Sequence, residues 1–137
     1  GALREVLYEG IPEVLQALHD AGWCLAVATG KSDRGLQATL ATNKLTHLFS
    51  SLQTADRHPS KPHPAMLEEA LVECGAAPAD TVMIGDTSFD IEMAKAAGVR
   101  ALGVAWGYHE PAELLDAGAF AVAETPAQLT EILLGTE

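Results

Sequence analysis

Positive charge is scarce in this chain. Eight lysines and arginines stand against nineteen aspartates and glutamates in 137 residues, a formal net charge of −11. Nucleic-acid surfaces need clustered Lys and Arg to meet phosphates, so DNA and RNA are excluded as partners. A small anionic ligand stays compatible if local positive charge or a metal ion meets it. Long hydrophobic runs are missing as well. No stretch approaches the roughly 18 apolar residues of a membrane helix, and the opening GALREVLYEG has no signal-peptide core. The expectation is a cytoplasmic protein without a membrane partner. Cysteine is rare: Cys24 and Cys74 show no CxxC spacing and read as reduced core thiols rather than a disulfide. The five histidines, His19, His47, His58, His63 and His109, lack zinc-ligand spacing and read as surface or loop residues. Trp23 and Trp106 flank strand patterns and read as packing residues.

What is there is ordinary globular composition, 48% hydrophobic and 20% charged, at the length of one domain with a real core. Ile11, Val14, Leu15 and Leu18 recur on one helical face, with Pro12 in the first turn and Gly22 beyond the end. WCLAVAT (23–29) is a short continuous apolar run, the pattern of a strand buried on both faces. Ser32 suits the N-cap of a helix to about Asn43. The pattern then predicts a strand at 48–54, a helix at 64–74, a strand at 81–86 and a helix at 88–97. A strand at 100–106, a helix at 111–117, a short strand in AFAVA and a helix at 126–134 complete it. Such alternation implies one α/β domain, a doubly wound parallel sheet with helices on both faces.

Ligands in such sheets gather at the carboxyl ends of the strands, and three strand ends here carry suitable groups. Thr29-Gly30-Lys31-Ser32 leads into a helix, where hydroxyl, amide and helix dipole would seat an anion. Lys61-Pro62-His63-Pro64 restricts a loop so that the Lys61 ammonium is aimed rather than swept through solvent. Gly85-Asp86 ends a strand and Asp90 falls in the next helical turn, two hard carboxylates of the kind magnesium takes. Each also reads as punctuation: a helix start, a solvated lysine, and an N-cap Asp86 with Asp90 on the helix dipole. Their occurrence in order, each at a strand end, makes the case for phosphate chemistry.

Thr29, Lys61-Pro62-x-Pro64 and Gly85-Asp86-x-x-x-Asp90 resemble the second, third and fourth motifs of the haloacid dehalogenase (HAD) superfamily. The likeness runs from about Tyr8 to Leu134, and DIEMAKAAGV and GVAWGYHEPAELLDAGA are similar to phosphoglycolate-phosphatase-like members. The resemblance implies that Thr29 and Gly30 bind the phosphoryl group and that Lys61 neutralises it. It implies Asp86 as a Mg²⁺ ligand and Asp90 as a second ligand or an orienting group. The Gly-Asp-x-x-x-Asp site favours phosphatase over dehalogenase.

The same resemblance exposes a gap. The family attacks phosphorus with the first aspartate of a DxDxT segment and uses the second as acid and base. The seven aspartates here are Asp20, Asp33, Asp56, Asp80, Asp86, Asp90 and Asp116, and no two are two residues apart. With Gly1 in place of an initiator Met, the chain is expected to be a C-terminal fragment: an incomplete core without the family's first strand or its cap. The expected function is Mg²⁺-dependent hydrolysis of a small phosphomonoester through a phospho-aspartyl intermediate, with this chain inactive alone. Alternatives are a non-catalytic phosphate- or partner-binding domain and a sugar phosphate mutase. The family's missing strand lies between those ending at Thr29 and Asp86, leaving two apolar strands with unpaired backbone groups. They are expected to pair directly or to be joined by another chain, self-association included. The segment LREVLY (3–8) is a further candidate filler.

Overall fold

Pro12 sits in the first turn of helix α1, Ile11–Asp20, whose Val14 and Leu18 are buried. The computed structural model describes residues 10–105 and 110–135. The segment 3–8, Trp106 and His109 lie outside the described residues. Strand β1, Leu25–Ala28, is followed by α2, Asp33–Thr42, capped as expected by Ser32, whose Oγ accepts the Gly35 N–H at 3.1 Å. Strand β2, Phe49–Gln53, and helix α3, Ala65–Cys74, come next. Then follow β3, Val82–Gly85, α4, Ser88–Ala97, and β4, Arg100–Val104. Helix α5, Pro111–Ala117, strand β5, Ala121–Ala123, and helix α6, Pro126–Leu134, close the order. Short 3₁₀ turns at Thr46–Leu48 and Pro78–Asp80 lead into β2 and β3 and were absent from the sequence pattern. Gly98 ends α4 in the left-handed region at φ 76°, and Val99 N–H returns to the Ala94 carbonyl at 2.9 Å.

The strands are all parallel, but they form two sheets, β1–β2 and β3–β4–β5. The expected direct pairing of β1 with β3 does not occur. Among the described residues each is instead the edge of its own sheet, with one hydrogen-bonded neighbour. The expectation that β1 is buried on both faces fails for the same reason. Ala26 is exposed, and Val27, Ala28, Val82, Met83 and Ile84 are half-buried.

Apolar packing bridges what the ladders do not. One layer joins Val14 and Leu18 of α1, Leu25 of β1, Leu36 and Leu40 of α2, Leu102 of β4 and Leu129 of α6. The opposite layer joins Met66 and Leu71 of α3, Ile91 and Met93 of α4 and Leu114 of α5, with Ala28 of β1 and Met83 of β3 against it. Both layers touch both sheets, so apolar packing joins the two sheets where, among the described residues, no strand ladder does. No helix among the described residues is long and apolar enough to cross a membrane. The cysteines do not fit the expectation of core thiols: Cys24 is exposed, Cys74 is half-buried, and both are free.

Candidate active site

Parallel pairing aligns the carboxyl ends of β1 and β2. Thr29 N–H donates to the Gln53 carbonyl at 3.0 Å, and the Thr29 hydroxyl oxygen accepts the Lys31 N–H at 3.2 Å. That leaves the Thr29 O–H to donate elsewhere. Gly30 beside it is exposed. The loop after β2 is clipped to this turn. Ala55 N–H reaches the Lys31 carbonyl, and Asp33 N–H donates to Asp56 Oδ2 at 2.7 Å. The Thr54 hydroxyl donates to Asp33 Oδ1 at 2.7 Å, and Arg57 donates to the same oxygen at 3.1 Å and to the Leu52 carbonyl at 2.7 Å. Thr54 first, then Arg57, holds the Asp33 carboxyl below its ordinary range against the opposing effect of desolvation.

A second anchor lies under the same loop. Gln53 is 1% exposed. Its amide nitrogen donates to Ser51 Oγ and Glu73 Oε1, both at 2.9 Å, so its oxygen is presented to His58 Nε2 at 2.7 Å. His58 is therefore the donor in that pair. His63 also has a local task, since its Nδ1 accepts the Ala65 N–H at the start of α3. Between these anchors and α3 stands Lys61, joined to Pro62 by a cis peptide bond.

Lys61 is not a solvated side chain. Its ammonium donates to Asp90 Oδ1 at 2.5 Å. Asp90 is 4% exposed, and its other oxygen, Oδ2, accepts from the Thr87 N–H at 3.3 Å and the Thr87 hydroxyl at 3.1 Å. The N-cap of α4 is thus Thr87 and not Asp86, with Asp90 closing a capping box. Gly85 makes room: a Cβ there would lie 2.2 Å from the Asp90 Cβ and 2.7 Å from its Oδ2. Asp86, released from capping, is half-buried, and desolvation, followed by the negative charge of Asp90, raises its carboxyl above the ordinary range. Lys61 opposes that rise.

The structure therefore gathers Lys61, Asp86 and Asp90, while Thr29 and Gly30 follow the end of β1 in the other sheet. Among the described residues no cluster of three or more His, Cys, Asp or Glu forms a metal cage. Asp86 has the chemistry of a ligand for a hard cation, being a half-buried carboxylate whose neighbouring charge is mainly negative. Both oxygens of Asp90 are already engaged, by Lys61 and by Thr87. Thr87, Asp33, Arg57, Gln53 and His58 were missed in the sequence. Only Thr87 carried a local signal, the T-x-x-D capping pattern of Thr87 and Asp90.

The profile of haloacid dehalogenase-like hydrolases matches residues 4–104. The chain belongs to this family. "Probable phosphatase IndB" of Dickeya dadantii is 39% identical over 122 residues, 88% of this chain and 53% of that protein. A phosphoglycolate phosphatase of Haemophilus influenzae is 35% identical over 128 residues, 93% of this chain and 57% of that one. A crystal structure of a HAD family hydrolase from Deinococcus radiodurans with bound phosphate and sodium superposes with a TM-score of 0.84 at 28% identity, covering 91% of this chain and 58% of that one. The chain spans a little over half the length of these relatives. Strands ending in Thr29 and in Gly85-Asp86 and the loop bearing Lys61 all fall inside the matched region.

Proposed function

We propose that the chain is the phosphate- and magnesium-binding core of a HAD-type phosphatase acting on a small phosphomonoester resembling phosphoglycolate. The observation that carries this reading is the Lys61–Asp90 pair beside Asp86 at the strand ends. It is a polar cluster with a cation paired to Asp90 and a carboxylate, Asp86, that this cation compensates only in part. Thr29 and Gly30 would donate to the phosphoryl oxygens, and Lys61 would neutralise charge developing on them. Asp86 would hold magnesium. Asp90 would act mainly by fixing Lys61 and the turn at Thr87. A bound magnesium ion supplies Lewis-acid stabilisation of the phosphoryl group. The protein's own work is to hold Thr29, Lys61 and Asp86 around one point before substrate arrives.

The attacking aspartate is absent from these 137 residues, so the reaction, and the phospho-aspartyl intermediate with it, needs a segment outside them. The present chain, a single core domain without a cap, is inactive alone in this reading, and its location is cytoplasmic. The absence of any Asp-x-Asp pair also favours a second reading, a domain that binds phosphate or a partner and performs no catalysis.

The deciding experiment is p-nitrophenyl phosphate hydrolysis with and without Mg²⁺, comparing this chain, its Asp86→Asn variant and a version extended upstream through a DxDxT segment. The expected result is turnover in the extended protein alone, lost with Asp86→Asn. Turnover by the 137-residue chain that Asp86→Asn abolishes would overturn the assigned nucleophile. A silent extended protein that still binds phosphate would favour the second reading.

A further inference from the structure

Gln53 touches both halves of the candidate site. Its main-chain carbonyl accepts the Thr29 N–H at 3.0 Å, and its buried side chain reaches the loop that carries Lys61. Both amide protons of that side chain are spent, on Ser51 Oγ and on Glu73 Oε1, and the Ser51 hydroxyl donates to the same Glu73 oxygen at 2.6 Å. The amide therefore has one orientation, with Oε1 facing His58 Nε2 at 2.7 Å. A carbonyl oxygen only accepts, so the half-buried His58 carries a proton on Nε2. What holds His58 also holds Lys61, because the chain between them has little freedom. Pro59, Pro62 and Pro64 each lock their own φ. Each also restricts the residue before it, which stiffens His58, Lys61 and His63. Only Ser60 escapes both constraints, and its carbonyl accepts the His63 N–H at 3.1 Å. Residues 58–64 thus form one stiff arm, anchored by Gln53 at His58 and carrying the ammonium that meets Asp90.

We propose that Gln53 and His58 are positioning residues for the phosphoryl site, setting Thr29 and the Lys61 arm against one buried side chain. The coupling is carried by hydrogen bonds and loop stiffness, and its consequence for catalysis rests on the phosphatase reading above. Neither residue meets the phosphoryl group or the metal. Gln53 acts on Thr29 through its carbonyl and on Lys61 through His58. In that reading Lys61 meets charge that develops in the transition state, so a loosened arm lowers kcat and leaves KM nearly unchanged.

The test has two arms. In the 137-residue chain, nitrogen NMR reads the His58 tautomer and the Lys61 ammonium resonance. Gln53→Leu and His58→Met remove the contact, whereas His58→Gln keeps an N–H donor where Nε2 stands. Thr125→Ala removes the distant N-cap of α6 and controls for lost stability alone. The expected result is an Nε2–H ring at His58 and a Lys61 signal that shifts or broadens in Gln53→Leu and His58→Met. That signal stays in place in His58→Gln and Thr125→Ala. Should Gln53→Leu fail to fold, His58→Met, at a half-buried position, decides alone. In the protein extended upstream through a DxDxT segment, Gln53→Leu and His58→Met should lower kcat for p-nitrophenyl phosphate at least about tenfold, with KM within about twofold. His58→Gln should restore most of the rate. An unmoved Lys61 signal in both contact-removing variants would overturn the proposal, as would a His58 ring bare at Nε2. So would an active extended protein whose kcat ignores both substitutions. If the extended protein is silent, the phosphatase reading falls, while the Lys61 signal still confirms or overturns the coupling.

Discussion

Gly85 and Asp90 show how closely one residue type can be dictated by another's position. Adding a methyl group at Gly85 places it 2.2 Å from the Asp90 Cβ, so either the strand end or the carboxylate must shift. Gly85→Ala is expected to cost about 3 kcal/mol, the upper range of overpacking in a dense interior, read as a lower urea midpoint with an unchanged slope. Removing the other neighbour has a different origin. Lys61→Ala leaves Asp90, 4% exposed, without its cation, and the loss of a hydrogen bond to a charged group is about 2 kcal/mol. Lys61→Arg should restore part of it. Asp33 provides a pH test. Its carboxyl is held below the ordinary range, so its contribution is present above the unfolded-state value and is lost as pH falls through the folded one. The urea midpoint of Asp33→Asn should lie below that of the natural sequence near neutral pH. The two should converge in acid, once Asp33 is protonated in both states.

At the scale of elements, α4 carries the site because its first turn is closed by Thr87 and Asp90 together. Loss of an N-cap costs about 1 kcal/mol. Thr87→Ala should exceed that figure, since Asp90 Oδ2 loses the hydroxyl that donates to it at 3.1 Å. Thermal unfolding measures the sum, and Thr87→Ser should recover most of it. The loop carrying Lys61 is held from two sides, by Asp33 with Arg57 and by Gln53 with His58. The capping box in Thr87-x-x-Asp90 was legible in the sequence. The clamp between Asp33 and Arg57 was not, because those residues belong to different βα units and meet only after β1 and β2 pair.

For the whole molecule, the division into two sheets matters most. Among the described residues β1 and β3 each have a single hydrogen-bonded neighbour, and an open strand edge is a template for another chain. An upstream segment able to add a strand between them should raise the melting temperature of the chain. It should also suppress any concentration-dependent association seen by sedimentation. Equal melting temperatures with and without that segment would argue that the apolar layers alone set the stability. The charge of −11 opposes close association of copies. Raising ionic strength screens that repulsion and should therefore promote association.

The order and type of the elements and the ends of α2 and α4 were readable from the chain, because they depend on local periodicity and capping. The match to the haloacid dehalogenase-like hydrolases spans residues 4–104. Tertiary structure alone decided that Asp90 lies buried under Lys61 and that Asp86 is free of the helix cap. It also decided that β1 and β3 stay apart. Each of these turns on contacts between residues distant in sequence, where burial and neighbouring charge outweigh any preference written in a local pattern.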